Sequence, residues 1–223
     1  MQFGELEMKN KIIAVMPIKL NNERLPGKNT MMLGSKHLLQ YELDNLLEIA
    51  EIEQIYVYCS SDEICQFLPD NIVYKKRPPY LDLPTSNFTQ IFQSFMKEHE
   101  ADIYVYAHAT APFIKKETMQ ECINAVLNGR YDSAFCAEKI QDYLWSEGIP
   151  LNFNASNIPR SQDLKPVYRE TSGIYVFKKE VFQKKLRRIG DMPYIKQVSF
   201  KEAVDINTIE DFKLAEALID FDI

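Results

Sequence analysis

The stretch Lys11-Ile-Ile-Ala-Val-Met-Pro-Ile18 is a short apolar run rich in β-branched residues, and a polar loop, residues 19–29, follows it directly. A continuous apolar run of this length, without alternation, is typical of a strand that is buried on both faces of a sheet. The next segment, 38–49, carries apolar residues at nearly helical spacing. The stretch therefore predicts a strand, a loop and a helix, which is the repeating unit of an α/β fold.

The same alternation of strand and helix continues along the chain. Strands are predicted at 55–59, 72–75, 102–107, 132–137, 173–177 and 195–200, and helices at 62–68, 87–99, 116–127, 181–188 and 208–219. Asp62 and Thr208 are the expected N-caps of two of these helices. The pattern predicts an α/β fold with three layers, in which a mostly parallel sheet has helices on both faces. Ligands of such sheets bind outside the carboxyl ends of the strands.

Residues 139–168 interrupt the alternation. Trp145, Gly148 and several prolines punctuate a polar stretch without clear periodicity, and this predicts an inserted hairpin or flap. Because no linker or repeat divides the remainder, residues 11–223 are predicted to form a single domain that contains this insert. Residues 1–10 are predicted to be an N-terminal extension.

Charge and composition narrow the class of partner. The chain has 223 residues, of which 46% are hydrophobic, and a formal net charge of -6. A nucleic-acid-binding protein usually carries a broad basic face, so nucleic acid is not an expected partner. No apolar run is long enough to cross a membrane, and the short acidic start is unlike a signal peptide. We therefore expect a cytoplasmic protein without membrane contact.

The four cysteines, Cys59, Cys65, Cys122 and Cys136, form no CxxC pair. The three histidines show no metal-ligand spacing, so a zinc site is not expected. Cysteines scattered through apolar segments are usually buried free thiols in a reducing compartment.

The loop after the first strand carries the clearest chemistry. Lys19, Arg24 and Lys28 lie within ten residues of one another, together with Gly27 and several asparagines. Gripping a triphosphate requires cations and free backbone N–H groups, and a glycine lets the backbone approach closely. The GxxxxGK[ST] pattern of a Walker A loop is absent. The loop therefore predicts a triphosphate site of another kind, with a solvated basic turn as the alternative.

Residues 17–29 resemble the P-A-R-x-x-S-K-R-L-P-G-K-N signature of the acylneuraminate (CMP-sialic acid) cytidylyltransferases. The R-L-P-G-K core is shared with the ketodeoxyoctonate cytidylyltransferases. Gln162-Asp-Leu-Lys-Pro-Val-Tyr-Arg-Glu170 resembles the family segment Q-D-L-P-P-V-Y-R-E. Weaker similarities occur in the family's order at Ser61-Asp-Glu-Ile64, Arg77-Pro78, Thr85-Ser86, His108-Ala-Thr-Ala-Pro112 and Val204-Asp-Ile-Asn-Thr-Ile-Glu-Asp211.

This resemblance implies a nucleotide-diphospho-sugar transferase-like fold and an enzyme that transfers CMP from CTP to an acidic acceptor, with Mg²⁺ as cofactor and pyrophosphate as the second product. The same resemblance implies that the catalytic residues at the phosphates are Lys19, Arg24 and Lys28. The nucleotide would be bound by Asn22, Asn29, Arg77, Thr85 and Ser86, and the acceptor by His108, Arg169 and Glu170. The metal ligands would be Asp205 and Asn207. The resemblance also implies a homodimer, in which Tyr143 and Trp145 of the insert contact the partner subunit.

Several positions depart from the family pattern. Glu23 stands where the signature has a lysine, Asn22 replaces its serine, His108 replaces a glutamine, and Asn207 replaces the second metal-binding aspartate. Most of these changes fall on the acceptor or catalytic side. His108, with an ordinary pKa near 6.5, is a candidate general base.

Three interpretations follow from these departures. The first is an acceptor that is a sialic-acid-like sugar, activated for a surface glycan or capsule. The second is a small phosphate- or phosphonate-bearing acceptor such as phosphoglutamine. The third, favoured by Glu23 and Asn207, is a nucleotide-binding module without turnover.

Overall fold

The computed structural model describes residues 10–220 of the chain. Except for Asn10, the predicted N-terminal extension lies outside the described residues. The strands are β1 (Ile12–Ile18), β2 (Met32–Leu33), β3 (Lys36–His37), β4 (Gln54–Cys59), β5 (Ile72–Lys76), β6 (Ile103–Ala107), β7 (Ser133–Ile140), β8 (Trp145–Ser146), β9 (Ile149–Pro150), β10 (Val167–Lys178) and β11 (Pro193–Val198). The α-helices are α1 (Leu38–Leu47), α2 (Phe88–Met96), α3 (Lys116–Leu127), α4 (Lys179–Lys185) and α5 (Ile209–Asp220).

Seven strands form one central sheet in the order β11-β7-β10-β6-β1-β4-β5. The pairs β1 with β4, β1 with β6, β4 with β5, and β7 with β11 are parallel. Only β10 runs against its neighbours β6 and β7. The reason is its connection, since β10 follows β7 through a returning loop rather than a crossover helix. The predicted mostly parallel sheet is confirmed.

Both faces of the sheet are covered by helices. Alternate residues of β1 explain this directly, because Ile12, Ala14 and Met16 join one hydrophobic cluster while Ile13 and Val15 join another. The first cluster contains apolar residues of α1 and α3, and the second contains those of α2 and α4. A strand that is buried on both faces has no solvent-facing side, which is why its sequence does not alternate. The predicted three-layer architecture is confirmed.

A third, smaller cluster joins the loop after β1 to the far end of the chain. Leu25 of that loop packs with Ile206 and with Phe212 of α5. This contact brings residues 19–29 and 204–207 together, although almost the whole chain separates them in sequence.

Some local predictions were wrong in detail. Residues 62–67 form a 3-10 helix whose N-cap is Ser61, which accepts a hydrogen bond from Glu63 N, so Asp62 is not the cap. The helix predicted at 181–188 begins and ends earlier, at 179–185. Thr208 does flank α5, where the Asp211 carboxylate accepts hydrogen bonds from Thr208.

The segment predicted as an insert extends two strands beyond the body of the sheet. β7 continues to Ile140 and β10 begins at Val167, so the two strands pair as an arm before the chain turns back. The short strands β8 and β9 pair across a turn in which Glu147 and Gly148 both have positive φ. Tyr143 and Trp145 pack edge-on against Phe153 within the insert, with ring centroids 5.1 and 5.3 Å apart.

Candidate functional site

The carboxyl ends of β1 and β6 open into a groove. Its central cavity, of about 250 Å³, is lined by residues from the loop after β1, the end of β6, β10 and the segment before α5. Three neighbouring cavities adjoin it, and Lys19 or Asn207 is shared between each of them and the centre. The groove therefore lies where ligands of parallel sheets bind.

The loop after β1 has a defined backbone shape. Gly27 adopts φ 67°, a left-handed conformation that most residues avoid, and the chain then turns through a 3-10 helix at Lys28–Thr30. The Asn29 side chain donates from Nδ2 to the carbonyl of Lys19 at 3.0 Å, which closes the loop on itself. Lys28 and Asn29 are consequently buried at the base of the groove.

Two of the loop cations converge on Asn207. Arg24 Nη2 donates to Asn207 Oδ1 at 2.8 Å, and Lys28 Nζ lies 3.4 Å from the same oxygen. Lys28 Nζ also donates to the carbonyl of Ile206 at 2.8 Å. Because Lys28 is only 8% exposed, burial lowers its pKa, and the nearby Asp205 carboxylate opposes that shift. All the recorded partners of this ammonium are neutral oxygens.

Lys19 and Asn22 complete the lining of the groove beside the loop after β1. Asn22 Oδ1 and Asn29 Oδ1 are buried without a hydrogen-bond partner in the described part of the chain. Within residues 10–220, Lys19, Arg24 and Lys28 make no salt bridge to a carboxylate. Glu23 is exposed and lines the same cavity, but it forms no ion pair with them. This part of the groove therefore holds three cations without an ion-pair partner among residues 10–220.

Arg77 lies at the opposite wall, behind the end of β4. It is 3% exposed, its Nη2 forms an ion pair with Asp82, and its Nε is buried without a recorded partner. Asp82 also accepts a hydrogen bond from Ser60 Oγ, so the guanidinium is held in one orientation. Arg77 and Ser86 line a cavity of about 220 Å³ with Lys19 and Tyr106. Thr85 is exposed and does not line this cavity.

Asp205 projects from the segment before α5 and receives three neutral donors. Thr110 Oγ1 donates to Oδ1 at 2.5 Å, while Asn207 Nδ2 and Ser172 Oγ donate to Oδ2 at 2.7 and 3.1 Å. Mg²⁺ commonly binds through one or two carboxylates plus phosphate oxygens, and a single carboxylate beside a cationic loop is compatible with that mode. Among residues 10–220, no group of three His, Cys, Asp or Glu side chains forms a complete protein ligand set.

A metal ligand at Asn207 would need its side-chain oxygen to face Asp205, but the amide is oriented the other way. Its oxygen accepts from Arg24 and Lys28, and its amide nitrogen faces Asp205. In this arrangement the side chain links the loop cations to the carboxylate.

His108 follows β6 and forms the wall of the central cavity next to Tyr106. Burial, with the Arg188 charge nearby, lowers its pKa to about 4, so the expectation of a pKa near 6.5 was wrong. At neutral pH the ring is uncharged, and its Nε2 has no recorded hydrogen-bond partner. Beneath it, the Glu42 side chain of α1 is 0% exposed, and burial raises the pKa of this carboxyl well above its ordinary value.

Arg169 and Glu170 sit at the start of β10, and both are already paired. Arg169 Nη2 donates to Glu138 at 2.6 Å and lines a cavity with Asp205 and Asn207. Glu170 Oε1 accepts from the Tyr175 hydroxyl and, at 3.2 Å, from Arg188 Nη2. Arg169 therefore lines the groove, and both predicted acceptor residues form ion pairs within the described part of the chain.

The structure adds residues that the motif comparison did not select. Thr110 and Ser172 both donate to Asp205. Thr110 lies inside the segment His108–Pro112, so the sequence carried a signal for it, whereas Ser172 lies beyond the segment that ends at Glu170. Glu42 and Arg188 lie outside every motif and reach the site only through the packing of α1 and of the loop after α4.

The structure also bears on the predictions of buried free cysteines and of no membrane span. All four cysteines are free, and three are buried, but Cys65 is exposed, contrary to expectation. No helix in the described part of the chain is long and apolar enough to span a membrane.

A family model described as "Cytidylyltransferase" matches residues 13–221. The chain is 24% identical to N-acylneuraminate cytidylyltransferase A of Danio rerio over 92% of its own length, but it spans only 50% of that relative. It is 25% identical to the CMP-N,N'-diacetyllegionaminic acid synthase of Legionella pneumophila, covering 94% of this chain and 97% of that protein. The chain thus spans about half the length of the first of these relatives and nearly all of the second.

Among solved structures, a CMP:2-keto-3-deoxy-manno-octonic acid synthetase complexed with CTP superposes with a TM-score of 0.71. The match covers 96% of this chain and 100% of the other at 17% identity, and it supports the same fold.

Proposed function

Because the chain belongs to the cytidylyltransferase family, we propose that it transfers CMP from CTP to an acidic acceptor and releases pyrophosphate. The acceptor in this proposal is a sialic-acid-like sugar that is activated for a surface glycan or capsule precursor. The names of the relatives from Danio rerio and Legionella pneumophila support this class.

The observation that carries the proposal is the charge of the loop after β1. Lys19, Arg24 and Lys28 face one groove without an ion-pair partner among residues 10–220, and the side chains of Arg24 and Lys28 donate to neutral oxygens. Uncompensated cations that face a cavity bind polyanions through charge-assisted hydrogen bonds. A triphosphate is the polyanion that fits a cytidylyltransferase.

The chemistry requires one bond to form and one to break. An acceptor oxygen attacks the α-phosphorus of CTP, the bond from that phosphorus to the α,β-bridging oxygen breaks, and the electron pair leaves with pyrophosphate. The acceptor proton passes to a base or to water. Negative charge grows on the leaving phosphates, so Lys28 and Arg24 would stabilise the transition state by electrostatic interaction. His108, neutral at pH 7, would serve as a hydrogen-bonding group rather than the main base.

Mg²⁺ is the proposed cofactor. Asp205 would hold it together with phosphate oxygens, and the ion would supply charge neutralisation at the phosphates. Asn207, whose oxygen accepts from Arg24 and Lys28, would orient these two side chains.

The cytosine is proposed to bind between Arg77 and Ser86. Cytosine presents two neighbouring acceptors, O2 and N3, and the unpaired Nε of the buried Arg77 offers a donor. Uracil carries a hydrogen at N3, so a fixed guanidinium would favour cytosine.

A homodimer and a cytoplasmic location are further parts of the proposal. The insert exposes large apolar side chains, among them Trp145, which is 55% exposed, and Ile149. Exposed aromatic and aliphatic groups on a projecting arm are typical of a subunit contact. Cys122 and Cys136 remain free thiols with sulfur atoms 4.0 Å apart, which suits a reducing compartment.

The experiment compares nucleotides and then acceptors. With Mg²⁺ present, we expect CTP to raise the melting temperature more than UTP, GTP or ATP, because Arg77 selects the base. Pyrophosphate release from CTP is then measured with N-acetylneuraminate, N,N'-diacetyllegionaminate, ketodeoxyoctonate and phosphoglutamine. We expect one of the acidic sugars to be the best acceptor.

Equal stabilisation by all four nucleotides would contradict the CTP assignment. Selective stabilisation by CTP without pyrophosphate release from any acceptor would support a binding module instead. A preference for phosphoglutamine would keep the transferase and change its acceptor.

A further inference from the structure

Arg188 lies in the loop after α4, and the fold places its guanidinium over the ring of Tyr175 in β10. Leu186, the C-cap of α4, has φ 53°, which turns the chain sharply out of the helix. The carbonyl of Leu186 accepts a hydrogen bond from Thr89 Oγ1 of α2 at 2.9 Å. This contact ties the loop to the helix that covers the same face of the sheet.

The guanidinium of Arg188 stacks on an aromatic floor. Its central carbon lies 3.6 Å from the centroid of the Tyr175 ring and 5.4 Å from that of Phe88. Tyr106 packs edge-on against Phe88 at 5.0 Å and against His108 at 5.2 Å, and His108 lies 5.8 Å from Tyr175. Tyr106 and His108 also line the central cavity, so this aromatic cluster continues directly from it.

The hydrogen bonds of Arg188 leave part of its guanidinium free. Its recorded bonds within residues 10–220 use Nη2, which donates to the Tyr175 hydroxyl at 2.9 Å and to Glu170 at 3.2 Å. The side chain is 26% exposed. An arginine carries five N–H donors in a planar fork, so Nη1 and Nε remain for a ligand. Glu170 fixes the orientation of the group without occupying its other edge.

A second free polar atom lies on the same side. His108 Nε2 is buried without a partner in the described part of the chain, and the ring packs close to Tyr175, on which Arg188 stacks. A carboxylate or phosphate has several acceptor oxygens and could take a bidentate pair from a guanidinium while also reaching a ring N–H.

We propose that Arg188 binds an anionic group of the acceptor, a carboxylate or a phosphate, beside Tyr175 and His108. This inference rests on the proposed function and deepens it, since it assigns acceptor specificity to a residue outside the recognised motifs. Glu170, which resembles an acceptor residue of the family, is a positioning residue that holds Arg188.

The test compares Arg188→Gln, Arg188→Lys and the neighbouring control Arg187→Gln. Arg187 is half-exposed and pairs with Asp191, away from the groove. Pyrophosphate release is measured with N-acetylneuraminate as the carboxylate probe and phosphoglutamine as the phosphate probe. We expect Arg188→Gln to raise KM for the active probe by about tenfold or more, as for loss of a hydrogen bond to a charged group. KM for CTP should change by less than about twofold, and Arg188→Lys should recover part of the loss.

A second readout does not require turnover. Phenylglyoxal labels accessible arginines, and the extent of labelling at Arg188 is followed by peptide mass spectrometry. We expect CTP with either probe to protect Arg188 in the wild-type protein, and CTP alone to protect it less. Labelling of Arg187 should not change.

Unchanged acceptor KM in Arg188→Gln, or labelling of Arg188 that neither probe reduces, would overturn the inference. These results are distinct from a failure of the proposed function. Loss of the inference leaves both CTP-selective stabilisation and pyrophosphate release intact in the wild-type protein, whereas failure of the proposed function removes one or both of them.

Discussion

The two ends of the groove differ in whether their cationic side chains form ion pairs. At the end formed by the loop after β1, Lys19, Arg24 and Lys28 have no carboxylate partner within residues 10–220, and the side chains of Arg24 and Lys28 donate to neutral oxygens. At the other end the cations are paired. Arg169 donates to Glu138, and Arg188 donates to Glu170.

Burial also affects the ionisation of His108 and Glu42, which form no ion pair in the described part of the chain. His108 has its pKa lowered to about 4 and is neutral at pH 7. For Glu42, burial raises the pKa of the carboxyl and so favours the uncharged acid. One end therefore holds net positive charge, while the other holds compensated charges and neutral groups. The first suits a multiply charged phosphate chain, and the second suits a ligand that is recognised by the direction of its hydrogen bonds.

The largest effect is expected from removing charge at the phosphate end. Lys28→Met keeps the aliphatic stem of the side chain and removes the ammonium that contacts Ile206 and Asn207. We expect kcat/KM for CTP to fall by about 100-fold to 1000-fold, the usual cost of losing one preorganised donor to developing charge. The value of kcat/KM for CTP is measured by following pyrophosphate release.

Lys36→Met is the matched control, because Lys36 is exposed and pairs with Asp44 outside the groove. Turnover of Lys28→Met that equals that of the control would mean that the ends of the groove do not differ in the way described.

A smaller effect is expected from adding charge at the junction of the two ends. Asn207→Asp places a carboxylate against Arg24 and Lys28, where it competes with the phosphates for these cations, and against Asp205 on its other side. We expect KM for CTP to rise by about tenfold, the size expected when a charge-assisted contact to the phosphates is weakened. The Mg²⁺ concentration for half-maximal activity should stay unchanged.

The control is Asn128→Asp, which adds the same charge at the exposed end of α3. A lower Mg²⁺ requirement in Asn207→Asp, with KM for CTP unchanged, would instead show that this position is a metal ligand.

The smallest effect concerns the buried carboxyl group of Glu42. Because the folded-state pKa of Glu42 is raised, the unfolded chain releases this proton at a lower pH than the folded chain. The contribution of Glu42 to stability therefore falls as pH rises from the ordinary pKa toward the raised one. Glu42→Gln removes that pH dependence, so the melting temperature of the variant relative to wild type should be higher near pH 8 than near pH 5.

A difference of about 2–4 °C corresponds to roughly 1 kcal/mol in a chain of this size. Glu48→Gln is the control, because Glu48, the C-cap of the helix that carries Glu42, is exposed and pairs with Lys116 of α3. A melting-temperature difference for Glu42→Gln that does not vary with pH would mean that Glu42 is ionised in the folded protein.

The fold could be predicted from the sequence because its main signals are local. The continuous apolar run of β1 follows from burial on both faces, and the polar loops after it mark the binding edge. Details that depend on competing local hydrogen bonds were less accurate. Ser61 rather than Asp62 caps the turn after β4, since both residues can accept from the same N–H groups.

The site was predicted unevenly for the same reason. Residues within one loop, such as Arg24 and Lys28, are brought together by chain connectivity alone. The orientation of Asn207 depends on where Arg24 and Lys28 lie, and those positions depend on the packing of Leu25 against Ile206 and Phe212. The pKa of His108 depends on burial, which no motif specifies.

The sequence by itself determined the α/β architecture, the cationic composition of the loop after β1 and the family, because these depend on residues that are close together in sequence. Only the tertiary structure decided which charges stay free and which are paired. That outcome depends on contacts between distant segments, as when Arg188 reaches Tyr175 and Glu170, or when Glu42 is buried beneath His108. The electrostatic character of each end is set by these long-range neighbours, since burial and opposite charges shift a group's ionisation through space rather than along the chain.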